Sequence, residues 1–134
     1  MITRRIQELG GIATTAELLS SGYSRRNIEA VVGYGRVIRV RRGVYALREL
    51  PPEILEACRI GGRLTCVSAL AFHGIIHSAD DALHVEVAAN ASRLRSPTGS
   101  VVLHWSGAPA EGTRLVVGVG PALAQSARCH GGRR

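Results

Sequence analysis

A chain of 134 residues with 46% apolar side chains is large enough for one domain, or two small ones, around a buried core. Its formal charge of +7 points to a polyanionic partner, and all 17 basic residues are arginine. Three widely spaced cysteines argue against a disulfide scaffold. The charged first ten residues argue against a signal peptide, and the longest mostly apolar run, residues 66–76, is too short to span a bilayer, so a cytoplasmic protein with no membrane association is expected.

The charge is uneven. Residues 1–48 hold nine arginines against three carboxylates, and residues 49–134 hold eight against seven. The polyanion site therefore belongs to the first third of the chain. A short support helix is expected over residues 2–9, ended by Gly10-Gly11. Thr14-Thr15-Ala16-Glu17 fits a capping box, opening a helix that buries Leu18 or Leu19 and stops at Gly22. After the Gly22-Tyr23 turn, Ser24 caps another helix whose stripe is Ile28, Val31 and Val32. Arg26 and Ala30 lie opposite that stripe, flanked by Asn27 and Glu29.

Residues 37–41 read as a strand with Ile38 and Val40 on one face and Arg39 and Arg41 on the other. Arg42-Gly43 turns the chain back into residues 44–47. Helix, glycine-bearing turn, helix and arginine-rich hairpin make a winged helix-turn-helix over residues 1–50. Pro51-Pro52 marks the boundary to a small α+β region over residues 51–128, so the fold class expected for the chain is α+β. That region shows a helix over residues 52–60, then a nearly all-apolar core helix over residues 66–73 that Thr65 can cap. Three short strands follow, around Leu83-Val87, Val101-Trp105 and Leu115-Val119, with Trp105 in the core. A basic loop with Arg93 and Arg95 joins the first two strands, and Pro121 opens a last helix to about Arg128. Residues 129–134 are expected to be disordered.

Gly11-Ile12-Ala13-Thr14, Gly22-Tyr23-Ser24 and Val37-Ile38-Arg39-Val40-Arg41-Arg42-Gly43-Val44-Tyr45 resemble the N-terminal domain of AbiEi-family antitoxins. The stretch from Arg63 to Ala71, His73-Gly74, Leu83-His84-Val85 and Leu103-His104-Trp105 is similar to the segment that follows it in actinobacterial members. The resemblance covers roughly residues 1–128. It implies a winged helix-turn-helix that binds operator double-stranded DNA upstream of its own gene. It also implies repression of a type IV toxin–antitoxin operon whose toxin is a nucleotidyltransferase encoded nearby. Many actinobacterial relatives carry a Vsr-like endonuclease domain after this region. The chain is expected to lack that domain and any nuclease activity.

Arg25, Arg26 and Asn27 are the candidate base readers, because arginine donates two bonds to guanine and asparagine pairs with the edge of adenine. Two arginines directly after an N-cap oppose the helix dipole, a local conflict that favours a functional reading over a solvated helix start. Arg39, Arg41 and Arg42 are candidate wing contacts to phosphate, against the alternative of an arginine-protected sheet edge. Arg4, Arg5 and Arg36 are further phosphate candidates. Thr14 and Thr15 are candidates for offering backbone N–H groups to a phosphate, although capping alone accounts for them. Tyr23 and Ser24 complete the candidate DNA-binding set. The histidines and cysteines have no CxxC or HxxxH spacing, so neither metal nor cofactor is expected, and no catalytic motif suggests an enzyme. The alternatives to a DNA-binding regulator are a protein-interaction module or an inactive relative of an endonuclease-bearing protein. The sequence leaves the oligomeric state open.

Overall fold

A computed structural model of the chain describes residues 1–77, 81–91, 94 and 99–131. Asp80, the basic-loop residues Arg93 and Arg95, and residues 132–134 lie outside them. The chain is α+β, beginning with a winged helix-turn-helix. Its elements are α1 (Ile2–Glu8), β1 (Ile12–Thr14), α2 (Thr15–Ser20), α3 (Arg25–Gly33), β2 (Val37–Arg41) and β3 (Val44–Leu47). β3 is the middle strand of an antiparallel sheet ordered β1-β3-β2.

Local signals set the helices. Thr14 Oγ1 accepts from the Glu17 N–H at 3.1 Å, and the Glu17 carboxylate accepts from the Thr14 N–H at 2.9 Å. Ser24 and Asn27 repeat the arrangement at α3. Each box satisfies donors that a helix start leaves unpaired. Leu18 and Ile28 are buried and Leu19 is exposed, which settles the choice within α2. With Ile6, Val31, Val37 and Leu47 they make the first core.

The wing sheet is covered on both faces. Val37 and Tyr45 pack toward the three helices. Val40 and Ala46, with Ile38 and Val44 at the margin, pack into a second core with α4 (Pro52–Ile60) through Ile54, Ala57 and Cys58. One apolar core therefore runs across the Pro51-Pro52 break. A bulge between Arg39 and Arg41 interrupts the pairing of β2 with β3. Two residues of β2 then face one of β3, which breaks the period-two alternation.

The remaining elements are β4 (Arg63–Leu64), α5 (Cys66–Phe72), β5 (Leu83–Ala88), β6 (Val101–Ser106) and α6 (Val119–Gly131). The second sheet is ordered β4-β5-β6, with β4–β5 antiparallel and β5–β6 parallel. Leu115–Val117 does not form the regular third strand expected. Its three residues are all buried, and it joins the edge of β4 through one parallel bridge between Leu64 and Val116, with the Leu64 N–H donating to the Leu115 carbonyl and the Val117 N–H to the Leu64 carbonyl. Trp105, expected in the core, is 56% exposed at the far end of the edge strand β6. Thr65 precedes α5 without a side-chain cap. α6 starts two residues before Pro121 and runs to Gly131, so residues 129–131, expected in the disordered tail, are helical. Among the described residues no helix is long and apolar enough to cross a membrane.

Candidate nucleic-acid interface

α3 carries Arg25 and Arg26 in its first turn, which holds no acidic residue. The Ile28 and Val31 stripe holds the inner face against α1 and α2 and leaves Arg25, Arg26, Asn27 and Glu29 exposed. Among the described residues no carboxylate ion-pairs with Arg25, Arg26, Arg36, Arg39 or Arg42, all of which are exposed. These five guanidinium groups are open to a polyanion. The wing turn is pinned beside the start of α2, where the Thr15 N–H donates to the Gly43 carbonyl at 2.9 Å. Gly43 sits at φ 74°, a left-handed conformation suited to a tight turn without a side chain.

The other candidates are engaged elsewhere. Asn27 Oδ1 accepts from the Ser24 N–H at 2.8 Å, and Ser24 Oγ accepts from the Asn27 N–H at 3.1 Å. A two-bond contact from Asn27 to adenine would compete with that cap. The backbone N–H of Thr14 is bound to Glu17 and that of Thr15 to Gly43, so neither is open to a phosphate. Tyr23 is half-buried against the first core.

Arg41 departs furthest from expectation. The bulge carries it out of the face of Arg39 and into a cleft lined by Cys58, Gly61, Arg63 and Glu86. Its Nε is buried without a hydrogen-bond partner. Burial pushes the Cys58 thiol up to about 11, with the Arg41 charge acting in the opposite direction. Arg41 belongs to the seam between wing and α4, not to the arginine surface of the wing. Of the further phosphate candidates, Arg4 is exposed, whereas Arg5 donates to Ser21 Oγ at 2.9 Å and pairs with Glu8.

The helix-turn-helix is tied to the rest of the chain by an ion pair that sequence reading missed. Both Arg114 Nη atoms donate to the Glu17 carboxylate, at 2.9 and 2.6 Å. These bonds outweigh the effect of partial burial and hold the Glu17 carboxyl at about 2, against an ordinary 4.5. A depressed carboxylate stabilises the fold above its unfolded value and loses that contribution as pH falls through its folded value. Acid unfolding should therefore steepen between about 4.5 and 2. Both side chains are partly exposed, so Arg114→Ala is expected to cost about 1 kcal/mol at neutral pH. Urea denaturation of wild type and variant at pH 7 and pH 3 should show that difference shrinking at the lower pH. A difference unchanged with pH would rule this linkage out.

No curated protein matches the chain. Residues 1–48, from α1 through the wing, match the family model of AbiEi antitoxin transcriptional regulators.

Proposed function

We propose that the chain is a sequence-specific DNA-binding transcriptional regulator, an antitoxin-type autorepressor that reads operator DNA with α3. The observation that carries this reading is the pair of exposed, unpaired arginines opening α3, within the segment that matches the regulator family. Arg25 and Arg26 address base edges in the major groove. Arg42, with Arg36 and Arg39, addresses phosphates. Backbone phosphate contacts position the protein, and groove contacts specify the sequence. In this reading the partner is duplex DNA upstream of the chain's own gene, and a nucleotidyltransferase toxin system is encoded nearby.

Fluorescence anisotropy on a duplex from that upstream region, in competition with random DNA and across a salt series, tests the reading. A regulator prefers its operator by roughly 10³-fold or more. Its affinity falls steeply with salt as counterions are released. Arg26→Ala should lose about 10–100-fold on the operator and little on random DNA, the range for one bidentate base contact. Arg42→Ala should weaken both alike and lower the salt slope by about one. Equal affinity of the wild type for operator and random DNA would overturn the proposal.

A further inference from the structure

We propose that Cys66, His84, His104 and Cys129 form a closed tetrahedral zinc site. One ligand atom from each lies within 4.8 Å of the other three. A zinc ion with two sulfur and two nitrogen ligands holds them about 3.3–3.8 Å apart, given its usual bond lengths. Two thiolates and two imidazoles are the donor set that selects zinc among common divalent ions. All four residues lie outside the stretch that matches the regulator family.

The fold assembles the set from four elements. β5 and β6 run parallel with Glu86 beside His104 and His84 beside Val102. Alternation therefore puts His84 and His104 on one face of the sheet, as diagonal neighbours. Val85 and Val87 point the other way, into the main core. The Nδ1 of His84 faces the Nε2 of His104 at 2.9 Å. Cys66 opens α5 and Cys129 lies near the end of α6, and these two helices pack on one another.

Three further features suit a metal centre. Cys66 and His84 are fully buried, and His84 is one of only three buried polar residues among those described. The other two hold its backbone: the His84 N–H donates to Ser68 Oγ, and the His84 carbonyl accepts from the Thr65 N–H. Cys66 adopts φ 55° and is the one non-glycine residue among those described in the left-handed region. Backbone strain of this kind clusters where a side chain must be aimed at a ligand. Around His104, Nδ1 lies 2.7 Å from the side-chain amide nitrogen of Gln125; with zinc on Nε2 the ring proton sits on Nδ1, and the amide turned over presents its oxygen to accept it. A metal-bound imidazole is oriented by such a partner on its other nitrogen.

Binding would release the two thiol protons to solvent and leave a neutral centre. Four protein ligands leave no open position, so the site is structural, clamping α5, β5, β6 and α6 together.

The test uses the full chain, purified without a histidine tag under reducing conditions. One zinc per chain by elemental analysis is expected. Cobalt(II) should give the intense visible bands of a tetrahedral ion together with thiolate-to-metal charge transfer. Cys129→Ser should lower zinc affinity by more than the ~10–100-fold that loss of an outer partner costs, and Gln125→Ala should fall within that range. Cys58→Ser should keep the wild-type stoichiometry and spectrum. A folded chain that takes up no stoichiometric metal, even after reconstitution, would overturn the site. So would a Cys66–Cys129 disulfide in the reduced preparation, or a Cys129→Ser chain that binds zinc as tightly as wild type. If Cys129→Ser does not fold, the cobalt spectrum of the wild type decides.

Discussion

Gly62→Ala is expected to destabilise the chain by about 3 kcal/mol, at the upper end of the cost of overpacking. A Cβ at Gly62 would lie 2.1 Å from the Glu86 carbonyl oxygen and under 3 Å from the side chains of Val85 and Val87. The nearest atom is backbone, so relief requires β4 and β5 to separate. That separation also pulls on the neighbouring Arg63. Its guanidinium pairs with Glu86 at 2.9 Å, donates to the Thr113 carbonyl at 2.7 Å, and reaches the Ala110 carbonyl. Both partners of the ion pair have 13% exposed side chains, and breaking a pair that is largely removed from water leaves an uncompensated charge. Urea denaturation followed by circular dichroism measures the effect. A midpoint indistinguishable from wild type would mean that β4 does not pack on β5 as described.

The second large effect belongs to the helix-turn-helix. Leu18→Ala is expected to cost about 2–5 kcal/mol, the range for a buried leucine truncated in a core that cannot collapse. Leu18 is 0% exposed and touches the core that orients α1, α3 and the wing. Its loss frees the inner face of α3, so DNA affinity should fall together with stability even though Leu18 meets no solvent. Leu19→Ala, one residue on and 38% exposed, should change stability by no more than about 0.5 kcal/mol. Thermal melts of the two variants side by side separate these outcomes. Equal losses would contradict the orientation of α2.

What the sequence made legible was local. The Thr14–Glu17 capping box, the Ser24 cap, the helix stripe of Ile28 and Val31, the hairpin turn at Gly43 and the proline start of α4 all depend on residues within a few positions of one another. What escaped depends on partners far along the chain. β1 is three residues long and exists through pairing with β3. The inward turn of Arg41 follows from a bulge that period-two reading cannot register. Glu17 reads as a capping residue and is one, but its second partner is 97 positions away.

The cluster of Cys66, His84, His104 and Cys129 illustrates the same limit. Its members are separated by 18, 20 and 25 positions, whereas sequence signals for zinc rest on ligand pairs a few residues apart. Parallel pairing of β5 with β6 and the packing of α5 on α6 bring them together. The exposed places of Arg25 and Arg26 were legible because they follow the Ser24 cap directly and lie off the Ile28 and Val31 stripe. The occupied backbone N–H of Thr15 became visible only with the wing folded against α2, whereas that of Thr14 is taken by Glu17 three residues on.

Amide hydrogen exchange of the full chain, with and without the upstream duplex, tests most directly whether DNA lies across α3 and the wing turn. Added protection is expected in peptides covering residues 24–33 and 41–44, with little change over residues 66–88 and 101–129. Protection confined to the second region, or none under conditions where the duplex is bound, would contradict it.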